Sequence, residues 1–404
     1  MRIVDLFSGA GGLTFGFYYN LIDGQFVRTD NEFLFANEYD DNAVQAFNAN
    51  YPDIPMIHRE IQNITEEEVI QLIGEREVDL IIGGPPCQSF STVGRRRFDD
   101  KARLYMEYIR MLKIIQPRMF LFENVKGMLS MREQVPVIDE VGYPVLNSIG
   151  EQVMQPGELI MDIIKDNFAD LGDGLGYTLV GENVLDAANY GVPQHRERVF
   201  LIGVRNDIRD QINWQYPIAT HGENLLPYIT ISEAISDLPV IGEGESADRY
   251  DHLPENLYQV IMRGQNETLS QHFCGVHSEK MRRVIAAVPQ GQGRHYINAL
   301  VDNGELPEFC RLTSGYANTY GRLVENRPST TITNNMCTPS ALRCIHYAQN
   351  RALTPREGAR IQSFPDWFVF CGSKGNVTTQ IGNAVPPLLA MAIARRIEEV
   401  LEEG

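Results

Sequence analysis

The sequence predicts an α/β fold: a doubly wound, Rossmann-like sheet interrupted by a second, smaller and irregular domain. Three observations carry that expectation. Over residues 1–205, short apolar runs alternate with helical stretches. Several of those runs end in glycine-rich, proline-rich or acidic turns, the kind found along the carboxyl edge of a parallel sheet. After about residue 205 the periodicity fades into a segment rich in Gly, Asn, Pro and acidic groups, and it returns from Leu353.

Each element follows from its local pattern. Residues 2–6 read as a strand entering a glycine-rich turn, and the apolar stretch 13–19 follows. Residues 33–37 read as a second strand. Asp79, Leu80, Ile81 and Ile82 form a buried strand that runs into Gly83-Gly84-Pro85-Pro86. Residues 119–122 are another strand, ending at Glu123-Asn124, and residues 198–204 a later one. Between them, 158–171 has helical periodicity, with Leu159, Ile160, Ile163, Ile164 and Phe168 on one face after the breakers Pro156-Gly157. Residues 386–403 read as a C-terminal amphipathic helix.

Composition narrows the function classes. The 404 residues suffice for one large domain with an insertion or for two domains. Hydrophobic residues at 43% and charged residues at 22% are ordinary for a globular protein. No uninterrupted apolar run approaches the roughly 18 residues of a membrane span, and Asp5 follows only Ile3 and Val4, so neither a membrane partner nor an export signal is expected. The six cysteines, at 87, 274, 310, 337, 344 and 371, show no CxxC or zinc spacing, and most are expected reduced and buried in a cytoplasmic chain. The histidines show no ligand spacing, so no metal is expected. A formal charge of −18 runs against a phosphate-rich partner, but binding depends on local fields. Arg95, Arg96, Arg97, Lys101 and Arg103 make one basic cluster, and Lys280, Arg282 and Arg283 a second.

Four motifs carry chemistry. Asp5-Leu6-Phe7-Ser8-Gly9-Ala10-Gly11-Gly12 is a strand ending in a glycine turn that lets a cofactor approach the backbone. Glu38, after the second strand, could accept from ribose hydroxyls, an ordinary loop carboxylate being the alternative. Gly83 to Ser91 delivers Cys87 onto a loop stiffened by Pro85 and Pro86, where a thiol is exposed as a nucleophile must be. Glu123, pushed from an apolar strand into a cleft, suits an acid with a raised pKa; a structural hydrogen bond is the alternative. In Gln194-His195-Arg196-Glu197-Arg198, alternating arginines suit anion or carbonyl recognition, against a surface salt-bridge ladder. GxGxxG, GxSxG and GxxxxGK[ST] are absent, which disfavours a dehydrogenase, a hydrolase triad and an NTPase.

Taken in order, these blocks resemble the cytosine-5 DNA methyltransferases. The resemblance also takes in Arg327 to Thr333, Leu353-Thr354-Pro355-Arg356-Glu357, Arg360-Ile361-Gln362-Ser363-Phe364-Pro365 and Gly382-Asn383-Ala384-Val385-Pro386-Pro387. It implies a catalytic domain of residues 1–205 and 352–404 around a target-recognition domain of 206–351, whose variable part is about 206–326. It implies S-adenosyl-L-methionine as cofactor, double-stranded DNA as substrate, monomeric action and a possible pairing with a restriction endonuclease of the same specificity. Cys87 would attack C6 of a flipped-out cytosine, Glu123 would hold or protonate N3, Arg198 would contact the base carbonyl, and Arg196 would sit near the nucleophile and a phosphate.

The same resemblance assigns Phe7, Gly9, Gly11, Glu38, Glu60, Leu104, Asn383 and Val385 to the cofactor. Glu60 departs from the aspartate usual there. Ser89, Arg95, Arg96, Arg97, Gln194, Arg322 and Thr331 are assigned to DNA. Residues 126–176 form a longer insert than many small members have. Two rival functions are a tRNA cytosine-5 methyltransferase, disfavoured by the long 206–326 segment, and an inert DNA-binding regulator, disfavoured by the joint presence of Cys87, Glu123, Arg196 and Arg198.

Overall fold

The structure, a computed structural model, describes residues 1–86, 104–139, 143–147, 152–313, 315–316 and 319–403. Its strands are β1 (Arg2–Leu6), β2 (Tyr19–Ile22), β3 (Gln25–Arg28), β4 (Glu32–Glu38), β5 (Met56–His58), β6 (Leu80–Gly83), β7 (Met119–Val125), β8 (Arg132–Pro136), β9 (Met154–Leu159), β10 (Tyr177–Asp186) and β11 (Glu197–Arg205). Among the described residues the central sheet has seven strands in the order β10-β11-β7-β6-β1-β4-β5. Its pairings are parallel from β5 through β7, and β11 lies antiparallel to both β7 and β10. The reversed β11 therefore brings its first residues to the edge where the parallel strands end.

Period-2 alternation explains why this sheet is buried on both faces. Ile3, Ile82, Leu121 and Phe200 point into one core, while Val4, Ile81, Phe122 and Leu201 point into the other. The first core is covered by α1 (Gly12–Tyr18), α2 (Asp41–Asn50) and the C-terminal helices described below. The second is covered by α3 (Glu66–Ile73), α4 (Leu104–Ile115) and α5 (Ile160–Ala169). The five strands expected from sequence appear with nearly the expected bounds. β5 and β10 were not anticipated: β5 has only three residues, and β10 carries Gly181, Glu182 and Asn183 where alternation should be clearest.

Residues 206–326 contain more helix than their weak periodicity suggests. The helices are short: α6 (Ile231–Ile235), α7 (Leu257–Arg263), α8 (Glu279–Ala287) and α9 (Arg294–Asp302). α6 and α7 place Ile231, Ile235, Tyr258 and Met262 in the first sheet core, whereas Val284, Ile285, Ile297 and Val301 of α8 and α9 form a small core of their own with Leu312, Tyr320 and Ile345.

Three helices close the chain: α10 (Pro355–Ile361), α11 (Lys374–Asn383) and α12 (Pro387–Glu403). By length and composition alone, Lys374–Glu403 is long and apolar enough to cross a membrane. Its most apolar 18-residue window is 72% buried in the protein, and α12 packs on α1. The described cysteines are all free thiols, buried except for the half-buried Cys371.

Candidate active site

The carboxyl edge of the sheet gathers the sequence motifs side by side. β1 ends in a turn where Phe7, Gly9 and Gly11 all have positive φ, at 59°, 56° and 93°. Gly11 has no substitute: a β-carbon there would lie 2.2 Å from the Tyr51 ring, whose hydroxyl donates to the Gly11 carbonyl at 2.6 Å. Gly12 permits a second close approach, since its β-carbon would lie 2.6 Å from the Val385 carbonyl oxygen. That contact brings the segment after α11 against the glycine turn, although the two are far apart in sequence. Val385 is buried there, and Asn383 is exposed at the end of α11.

Glu38 ends the neighbouring strand β4 and is 8% exposed. Its Oε2 accepts from the Gly9 N–H at 2.9 Å, and its Oε1 from the Tyr39 and Asp40 N–H groups at 2.7 and 2.9 Å. Burial raises its carboxyl above the ordinary range, and those backbone bonds oppose the shift. Glu60 lies two residues beyond β5; it is exposed, with its carboxylate accepting from Gln62 at 2.9 Å. Leu104 opens α4 and is half-buried.

The second half of the edge lies at β6, β7 and β11. Parallel pairing puts Gly83 beside Phe122, so the segment after β6 passes over Glu123. A β-carbon on Gly84 would lie 2.7 Å from Glu123 Oε2, and the Asn124 amide donates to the Pro85 carbonyl at 3.3 Å. The chain is thus guided across Glu123 just before Cys87. Cys87, Ser89, Arg95, Arg96 and Arg97 themselves lie outside the described residues. On the other side, Arg198 Nε meets Glu123 Oε1 at 3.1 Å, each side chain being 13% exposed. Burial pushes the Glu123 carboxyl up from its ordinary value, and the charges of Arg198 and Arg196 hold it back. A carboxyl so poised can keep or give up a proton beside a bound base.

Two assignments to DNA, Gln194 and Arg322, need correction. Gln194 is fully buried, donating to Gln362 at 2.7 Å and accepting from the Ile332 N–H at 2.6 Å, so it does not face DNA. Arg196 is also fully buried; it donates to the Ile332 and Gly382 carbonyls at 3.0 and 2.8 Å and lies near enough to Glu123 for its charge to act on that carboxyl. Arg322, 6% exposed, donates to the Ile285, Val288 and His346 carbonyls inside the small core. All three are polar groups whose alternation or motif position resembles that of surface residues; packing alone encloses them. Thr331 stays half-exposed, its hydroxyl donating to the His195 carbonyl at 2.9 Å. Two further residues to which the sequence assigns no role belong to this edge: Gln362, one member of the Arg360 to Pro365 block, and Asp186, whose carboxylate holds His195 at 2.7 Å.

Comparison with known proteins bears on this arrangement. The C-5 cytosine-specific DNA methylase family matches residues 1–399. Type II methyltransferase M.DdeI of Desulfomicrobium norvegicum is 33% identical over 423 residues, spanning 100% of this chain and 89% of that protein. Type II methyltransferase M1.HphI of Haemophilus parahaemolyticus is 32% identical over 401 residues, spanning 98% and 86%. A crystal structure described as a DNA modification methyltransferase encoded within a prophage (E. coli) shares the fold with a TM-score of 0.69 at 23% identity, covering 100% of this chain and 99% of that one. A DNMT2 variant of Spodoptera frugiperda shares it with a TM-score of 0.56 at 15% identity, over 98% and 99%. This chain belongs to the C-5 cytosine-specific DNA methylase family and is a DNA cytosine-5 methyltransferase.

Proposed function

We propose that the chain transfers a methyl group from S-adenosyl-L-methionine to C5 of a cytosine flipped out of duplex DNA, through a covalent bond between Cys87 and C6. The observation that carries this reading is the buried Glu123–Arg198 pair, over which β6 leads the chain to Cys87. The Cys87 thiolate adds to C6 while protonated Glu123 donates to N3, so the negative charge entering the ring is neutralised where it develops. Arg198 holds the Glu123 carboxyl through Nε and bonds the Glu197 carbonyl through Nη1, and its other N–H groups are offered to the base carbonyl. S-adenosyl-L-methionine, when bound, supplies the electrophilic methyl group that C5 takes up. Loss of the C5 proton to solvent base then expels Cys87, N3 returns its proton to Glu123, and 5-methylcytosine leaves.

The residues on the cofactor side suit that molecule. The positive-φ turn at Phe7, Gly9 and Gly11 leaves backbone open for close approach, and nothing would meet a β-carbon at Gly9 within 4 Å. Glu38 retains lone pairs for ribose hydroxyls, and Glu60, Leu104, Asn383 and Val385 lie around the same end of the sheet. In this reading residues 1–205 and 352–404 carry catalysis, and 206–351 choose the DNA sequence. A cognate restriction endonuclease, a monomeric state and a cytoplasmic location belong to the same reading, as do phosphate contacts from Ser89, Arg95, Arg96, Arg97 and Thr331.

The test is transfer of labelled methyl from S-adenosyl-L-methionine to unmethylated duplex DNA and, separately, to tRNA. Label should enter DNA alone, vanish in Cys87→Ala and fall about 10²–10⁴-fold in Glu123→Gln. Label in tRNA alone, or full activity in Cys87→Ala, overturns the proposal.

A further inference from the structure

Two buried hydrogen-bonded paths join the base side of the site to its cofactor side. Gln194 and Arg196 precede β11 in alternate positions, and neither has exposed surface. Gln194 Oε1 accepts from the Ile332 N–H at 2.6 Å, and its Nε2 donates to Gln362 Oε1 at 2.7 Å. Gln362, equally buried, donates its own Nε2 to the Ile381 carbonyl at 2.7 Å. Arg196 runs alongside, bonding the Ile332 and Gly382 carbonyls. Ile381 and Gly382 are the last residues before Asn383, where α11 ends.

The direction of the Gln362 amide follows from this chain of partners. A carbonyl can only accept, so Nε2 must face Ile381, and Oε1 is then turned toward the Gln194 amide. Both ends of one side chain are thereby committed, one to the strand that carries Arg198 and one to the helix end that presents Asn383. Replacing either partner leaves a buried carbonyl or amide without its bond, and the surrounding backbone must shift to recover it.

We propose that Gln362 is a positioning residue that, through Gln194, keeps the end of α11 in register with the start of β11, so that the cofactor side and the base side assemble as one unit. The inference rests on the reading of Asn383 and Val385 as cofactor contacts. It predicts an effect at a distance: Gln194 lies on the base side, yet its loss should be felt by the cofactor.

Binding of S-adenosyl-L-homocysteine, the demethylated cofactor, to the full chain tests this by calorimetry without requiring turnover. Gln194→Met and Gln362→Met are close in size to the parent side chains but make neither bond, and thermal melts without ligand establish that they fold. Each should weaken binding about five-fold or more. The double variant should be no weaker than the worse single variant, within a factor of about two, because both remove one linkage. Should the methionine variants not fold, Gln362→Glu replaces them. Its carboxyl accepts from Gln194 throughout, but donates to Ile381 only when protonated, so its affinity should rise toward parental as pH falls. A folded Gln194→Met with parental affinity overturns the proposal, as do additive losses in the double variant or, in the fallback, a Gln362→Glu affinity that does not recover as pH falls. No binding by the parent chain overturns the cofactor reading itself, and this inference with it.

Discussion

Asp5, next to last in β1, has one carboxylate oxygen accepting from the Thr14 hydroxyl and the other, among the described residues, without a hydrogen-bond partner. Burial pushes this carboxyl up to about 8, the Thr14 bond opposing and the nearby Glu38 adding to the shift. The unfolded chain releases that proton near the ordinary value of about 4. Between those limits the folded state holds more protons than the unfolded state, so stability falls as pH rises through the interval. Asp5→Asn keeps an acceptor for Thr14 and cannot ionise. Its unfolding free energy should therefore gain on the parent by about 2 kcal/mol or more from roughly pH 5 to pH 8, as measured by urea denaturation. Parallel pH profiles for the two proteins would show that Asp5 does not titrate in this way. Glu123 is raised for the same reason, but it sits beside Arg198 at the mouth of the site, where a retained proton is useful.

Arg322 shows how one side chain sets an element in place. Its guanidinium bonds the Ile285 and Val288 carbonyls at the end of α8, at 2.6 and 2.7 Å, and the His346 carbonyl and Asn350 side chain at 2.7 and 2.8 Å. A cation at a helix C-terminus also meets the negative end of the helix dipole. Arg322→Ala should destabilise the chain by about 3 kcal/mol or more, because several buried carbonyls lose their donor together. Arg322→Lys should recover little, since a single ammonium cannot span the fork of carbonyls. Denaturant titration of both variants distinguishes this from direct DNA contact, which would leave stability unchanged. α10 is held by similar means. Arg360 is fully buried between Asp237 at 3.0 Å and Asp366 at 2.6 Å, and Arg351 pairs with Glu357 of the helix capping box at 2.6 Å. Asp237 lies just beyond α6, so these ion pairs fasten residues of the 206–351 segment to the C-terminal helices.

For the whole molecule, a formal charge of −18 must coexist with a polyanionic substrate. Long-range repulsion is screened within about 10 Å at 0.1 M salt, so a local basic cluster can dominate binding. Replacing Arg95, Arg96 and Arg97 together by Gln should weaken DNA binding and reduce the slope of log affinity against log salt by about 0.9 for each phosphate that is no longer neutralised. An unchanged affinity and slope would assign phosphate binding to other residues.

Local chemistry was legible in the sequence wherever neighbours along the chain decide the outcome. The short continuous apolar runs in residues 2–6, 79–82 and 198–204 mark strands buried on both faces, and the Gly and Pro-Pro turns mark where those strands stop. The ordered blocks around Cys87, Glu123 and Asn383 likewise point to a cytosine-5 methyltransferase without any knowledge of how the chain packs. Tertiary structure alone decided which polar groups reach solvent. Gln194 and Gln362 are 168 positions apart, and Arg196 and Gly382 are 186 apart, so no spacing rule links them. A buried arginine and a surface arginine look alike in sequence. Their difference arises when distant segments pack over one of them and its bonds to water are exchanged for bonds to carbonyls.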